Sequence, residues 1–90
     1  MLILARMLGE SVCIGKHTKI TILNINVGRV ELGVSGSEDI IINLHESVSI
    51  GDSIKISVEK LNKNQVKLGI KAPESMKVDR EGAVGLIPRI

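Results

Sequence analysis

Glu10-Ser11-Val12-Cys13-Ile14-Gly15 and Glu46-Ser47-Val48-Ser49-Ile50-Gly51 are one phrase written twice, 36 residues apart (46 − 10). Sliding the chain by that offset extends the match in both directions without a gap. Lys19-Ile20 falls on Lys55-Ile56, Asn26 on Asn62, Val30-Glu31-Leu32-Gly33 on Val66-Lys67-Leu68-Gly69, and Glu38 on Glu74. A fixed period of this length marks a repeat whose single unit is too small to bury a core alone. The repeats are read as residues 10–45 and 46–81 of one domain over 1–90.

Within each copy apolar residues alternate with polar ones. Ile20 and Ile22 alternate with Lys19 and Thr21, and Val30, Leu32 and Val34 with Arg29, Glu31 and Gly33. The second copy repeats this as Ile54, Ile56 and Val58, then Val66, Leu68 and Ile70. Period two puts one face of a strand in a core. Asn26-Val27-Gly28 and Asn62-Lys63-Asn64 supply turns between neighbouring strands, and Pro73 stiffens a later loop. No segment keeps a helical period. The expected strands are 2–8, 11–14, 18–25, 29–34, 40–44, 47–50, 53–61, 65–70 and 76–80. Short connections imply antiparallel pairing, and two facing sheets would bury both apolar faces. By the same offset residues 4–8 fall on 40–44. The middle strand therefore ends the first unit and begins the second.

The composition excludes more than it assigns. With no Phe, Tyr or Trp, the core must be Ile, Val and Leu, and no base can stack on an aromatic side chain. One cysteine forbids an internal disulfide and fits a reducing cytoplasm. No stretch is long and apolar enough to span a bilayer, and residues 1–8 lack the basic flank and cleavage site of a signal peptide. His17 and His45 keep no ligand spacing with Cys13 or a carboxylate, so neither a metal nor another cofactor is expected. No nucleophile elbow, phosphate loop or carboxylate pair suggests an enzyme. Net charge is +2. Lys55, Lys60, Lys63, Lys67, Lys71 and Lys77 concentrate the basic residues in the second copy, with Glu59 and Glu74 the only acids among them. That pattern reads equally as solvated strand faces or as attraction for an anion. Arg6 and Arg80 carry forks suited to phosphates and base edges, or to ordinary ion pairs with Glu10 or Glu81.

These residues resemble a known family. The opening Met1-Leu2-Ile3-Leu4-Ala5-Arg6-Met7-Leu8-Gly9-Glu10 is similar to the MLIL-[TS]-R-[RK]-x-GE start of the carbon storage regulator family (CsrA/RsmA). Asn64-Gln65-Val66-Lys67-Leu68-Gly69-Ile70-Lys71-Ala72-Pro73 resembles its NQV-[RK]-[IL]-G-[VI]-x-AP stretch, and Val78-Asp79-Arg80-Glu81 its V-x-RE ending. The resemblance implies bacterial RNA-binding regulators of five strands and a helix. They form intertwined homodimers that bind GGA-containing loops in messenger leaders and mostly repress translation. Each site joins the first strand of one subunit to the last strand and neighbouring loop of the other.

This chain looks like such a dimer fused into a single-chain, pseudo-twofold mimic. The site residues that carry over are Leu4, Arg6, Asn64, Gln65, Ala72, Pro73, Val78 and Arg80. The second site does not carry over. Leu44 stands for Arg80, Ile42 for Arg6, Gly36-Ser37 for Ala72-Pro73 and Gly28-Arg29 for Asn64-Gln65. Met7 replaces a basic residue and Asp79 a frequent histidine, which lowers the positive charge near the remaining site. Two glycines and Pro88 in residues 82–90 disfavour the terminal helix. The expectation is a cytoplasmic monomer with one site for single-stranded or hairpin-loop RNA. The competing expectation is a β module of the same fold that binds protein rather than RNA.

Overall fold

The computed structural model describes residues 1–81, together forming nine strands and no helix. The absence of a terminal helix was expected for 82–90, which lie outside the described residues. The strands are β1 (Leu2–Met7), β2 (Ser11–Ile14), β3 (Thr18–Asn26), β4 (Arg29–Val34), β5 (Ile40–Asn43), β6 (Ser47–Ile50), β7 (Ile54–Leu61), β8 (Gln65–Lys71) and β9 (Val78–Glu81). They match the alternating runs because each inward Ile, Val or Leu is separated by one polar residue, and Gly15, Gly28 and Gly51 take the positive φ their turns need.

Two antiparallel sheets result, ordered β1-β8-β7-β6 and β5-β4-β3-β2-β9. One core lies between them. Val12, Ile14, Ile20, Ile22, Val30, Leu32 and Ile42 from one sheet join Leu4, Ile54, Ile56, Val58, Val66, Leu68 and Ile70 from the other. The chain changes sheet twice. Residues 8–10 lead from β1 into β2, and residues 44–46 lead from β5 into β6. Each crossing is fastened by backbone bonds: Gly9 N–H to the Ile22 carbonyl (2.8 Å), and His45 N–H to the Val58 carbonyl (2.8 Å). The repeat extends to its irregularities. A bulge at Leu23 in β3 recurs at Glu59 in β7. The two side chains lie over Gly33 and Gly69, where an added Cβ would come within 3.0 Å of Leu23 Cδ1 and 2.9 Å of Glu59 Oε2.

The symmetry breaks at β5. β5 pairs with β4 (Val30↔Ile42) as β1 pairs with β8 (Val66↔Arg6). β9 pairs with β2 (Cys13↔Asp79), whereas among the described residues β6 pairs with β7 alone. β5 thus fills the place of a first strand, and among the described residues no strand fills the place of a last one beside β6. Val12 and Ile14, next to β9, are 1% exposed, while their equivalents Val48 and Ile50 are only partly buried. Glu46 accepts a bond from Val58 N–H (3.1 Å), so ladder alternation turns the backbone groups of Ser47 and Ser49 to the open edge.

His45 occupies the position of Gly9. Gly9 has φ 86°, and His45 has φ 71° with an exposed side chain. An L-residue in the left-handed region carries a steric cost that glycine escapes. After allowing for glycine's larger unfolded-state entropy, His45→Gly should raise stability by about 0.5–1 kcal/mol. Urea denaturation checks this, and an unchanged or lower midpoint would contradict it.

Candidate nucleic-acid interface

Among the described residues β1 and β9 are edge strands, and their open edges run along the same margin of the sandwich, because the 8–10 turn links β1 directly to β2, the neighbour of β9. Each edge strand turns alternate backbone groups outward. On β1 the outward set is fixed by Met7, whose N–H donates to Glu10 Oε1 (2.8 Å) and whose carbonyl accepts from Glu10 N–H (2.9 Å) rather than from β8. Ile3 and Ala5 share that orientation, while Leu2, Leu4 and Arg6 direct their backbone groups to β8. On β9 the Lys77 carbonyl accepts from Gly15 N–H (2.8 Å), and Asp79 and Glu81 follow it towards β2. Val78 and Arg80 therefore present N–H and C=O to the open side. The margin offers two lines of backbone donors and acceptors, the type of surface that can read the edges of unstacked bases without aromatic side chains.

The side chains divide by role. Leu4 is 8% exposed and belongs to the core, so it holds β1 in place. Val78 and Ala72 also pack against the core. Arg6 points inward from β1 along the margin. Its Nε donates to the Ala5 carbonyl (2.9 Å), Nη1 to the Ser11 carbonyl (3.2 Å), and Nη2 lies 3.4 Å from Glu10 Oε1. With its side chain 12% exposed and its charge balanced by Glu10, Arg6 braces the corner between the sheets. Ser11 is in register with Glu81, and Arg80 lies opposite Val12, so Arg80 stands within about a residue of the strand position that Arg6 reaches. Arg80 is exposed and makes no ion pair with a described side chain. Asp79, also exposed, faces the opposite side of β9 by strand alternation.

Gln65 is in register with Met7, at the same corner. Asn62 Oδ1 accepts from both Asn64 N–H and Gln65 N–H (2.9 Å each), and Asn62 N–H donates to the Gln65 carbonyl (3.0 Å). The tip is thereby rigid, and Gln65 has only its side chain left for a ligand. Ala72 and Pro73 lie beyond the other end of β1, where Leu2 meets Ile70; Met76 N–H donates to the Pro73 carbonyl (2.9 Å). At about 3.3 Å per residue, the Gln65 and Pro73 ends of β8 stand on the order of 20 Å apart. The structure thus gathers Arg6, Gln65 and Arg80 at one corner and sets Ala72-Pro73 at the far end of the same margin. An extended ligand could touch both ends; a single base could not. Ser11 was not visible as a participant in the sequence: its carbonyl holds Arg6, and its hydroxyl lies 2.9 Å from Thr21 Oγ1.

Among the described residues, no group of three or more His, Cys, Asp or Glu side chains could hold a metal ion, and no helix is long and apolar enough to cross a membrane.

The architecture defines a class: an all-β sandwich of two related repeats, in which β1 and β9 supply the edge strands of one margin. The model of the CsrA global regulator protein family matches the chain twice, at residues 1–43 and 42–85, and the chain belongs to that family. It is similar to the translational regulator CsrA of Thermosipho melanesiensis, with 43% identity over 42 residues. That alignment covers 47% of this chain and 56% of the relative, so the chain spans about half the length of this relative. No solved structure matches the chain.

Proposed function

We propose that the chain binds GGA-containing single-stranded or hairpin-loop RNA in messenger leaders, and that it regulates translation in the cytoplasm, chiefly by repression. The observation that carries this reading is the β1/β9 margin, where two open strand edges and Arg80 face solvent beside Arg6 and Gln65. Backbone groups of Ile3, Ala5, Val78 and Arg80 read base edges, the Arg80 guanidinium reads a base or phosphate, and Arg6, paired with Glu10, braces the corner. Asn64, Ala72 and Pro73 bound the two ends of the bound segment. Leu4 acts by holding β1 in register.

One chain carries one site. The opposite margin has β5 as its first-strand equivalent and, among the described residues, nothing beside β6, with Leu44 in place of Arg80. The intertwined interface of the family dimer lies within the chain, with β5 shared between repeats 10–45 and 46–81, so the RNA-binding unit is a monomer. The test is a titration with a GGA hairpin and with the same hairpin carrying CCU instead. The expected result is one RNA per chain and at least about tenfold weaker binding of the altered loop, in line with the discrimination of about 1–3 kcal/mol that a good base contact supplies. Two RNAs per chain would refute the single site, and equal binding of both hairpins would refute sequence reading.

A further inference from the structure

The lysine run of the second copy becomes a surface when the register is drawn. Lys55 lies directly opposite Lys71, and Lys60 directly opposite Lys67. All four are exposed and alternate with the buried Ile54, Ile56, Val66, Leu68 and Ile70, which places them on the outer face of the four-stranded sheet. Like charges directly across a strand pair are unfavourable. The first copy avoids both juxtapositions: Asn24 lies opposite Glu31, and Lys19 meets Ser35, whose N–H donates to its carbonyl (3.0 Å).

Little on the face offsets this charge. Glu59, at the bulge, is its one acid among the described residues and sits between the two lysine pairs, with its carboxylate accepting from Ser57 Oγ (2.6 Å). Four lysines against one glutamate leave a local charge of +3 (4 − 1). The face is continuous with the RNA margin through the row Ala5–Lys67–Lys60 across β1, β8 and β7. Beside that row opens a depression of about 470 Å³, whose lining includes Lys60 and Lys67, the acid Glu59, and Leu61, Asn62 and Gln65. Its mixed lining suits a nucleotide, with phosphate on the lysines and a base against Leu61.

We infer that this face is a phosphate track for the single-stranded RNA flanking the recognised loop. The inference rests on the RNA-binding reading of the β1/β9 margin and adds a second, sequence-independent contact to it. Lysine ammonium groups serve as point charges for phosphates, and their contribution falls with salt. RNA leaving the loop passes from the Gln65 corner across β8 and β7.

The test compares a bare GGA hairpin with the same hairpin carrying twelve-nucleotide single-stranded flanks. The variant is Lys55→Gln/Lys60→Gln, both on β7 and away from the margin strands. Lys16→Gln/Lys19→Gln removes equal charge on the other sheet. In the wild-type protein the flanks should strengthen binding roughly tenfold at low salt, and the dependence of log K on log salt should steepen by about 1.4, the value for two single-strand phosphates. The β7 variant should lose that gain while binding the bare hairpin as the wild type does; the control variant should keep it. A flank gain retained in the β7 variant, or lost equally in the control, would overturn the track. A flank gain that needs Lys55 and Lys60 but ignores the GGA sequence would support the track and overturn the loop-reading proposal instead.

Discussion

Leu68→Ala should lower the unfolding free energy by about 2–5 kcal/mol, the range for truncating a buried leucine whose site cannot fully collapse. Leu68 is 0% exposed and sits on β8 between β1 and β7, opposite Leu4 on one side and Val58 on the other. Its loss opens a cavity among strands that cannot close up without shifting the register of both neighbours. A domain of this length is stabilised by roughly 5–13 kcal/mol, so one substitution removes a large part of the total. Urea denaturation with an unchanged slope would record the effect, and a loss below about 1 kcal/mol would mean that the core repacks around the gap. Because β8 is the only described partner of β1, the same variant should also loosen one edge of the proposed RNA margin.

For Arg80→Ala we expect a loss of about 1–3 kcal/mol in binding a GGA hairpin, equivalent to roughly 5- to 150-fold in Kd. Arg80 is the exposed arginine of the margin, and its side chain is not occupied by a described carboxylate. Arg6 differs, since its guanidinium already holds the Ser11 carbonyl and Glu10. An exposed residue at a strand edge contributes little to stability, so the variant should unfold within about 0.5 kcal/mol of the parent. Comparing the loss on the GGA and CCU hairpins separates the two roles of an arginine. A loss confined to GGA means base reading, and an equal loss on both means phosphate contact. Undiminished affinity for the GGA hairpin would remove Arg80 from the site.

Most strand limits were legible because the alternation is strict and the turns carry glycine or asparagine. The largest departure is β9, which begins at Val78 rather than residue 76. The turn closed by Met76 N–H on the Pro73 carbonyl extends the loop, and the Lys77 carbonyl is taken by Gly15. β7 begins at Ile54 instead of 53, and β8 runs on to Lys71, opposite Lys55. Periodicity could not show the division of strands between sheets, since an inward face does not specify its neighbour. The placement of β1 beside β8 and of β9 beside β2 follows from the two crossings. The left-handed His45 was similarly hidden, although its alignment with Gly9 was a usable signal. The lysine pairs depend on the bulge at Glu59, which shifts the phase so that Lys60 meets Lys67. Alternation alone would have turned Lys60 inward. Arg6 and Arg80 were recognisable by family likeness, but only the geometry distinguishes a buttressing arginine from an exposed one.

The margin is assembled from strands far apart in the chain: Leu2 closes on Ile70, and Ser11 on Glu81. Such closures are the slow, late part of folding in proteins of high contact order, because chain entropy is lost before the contacts are gained. An emerging chain that has yet to make β8 and β9 has β1 without its partner and no second edge at all. Neither repeat, folded on its own, contains the two edges together. On the proposed reading, RNA capture requires β1, β8 and β9 together, and a truncated chain lacking any of them should bind no GGA hairpin.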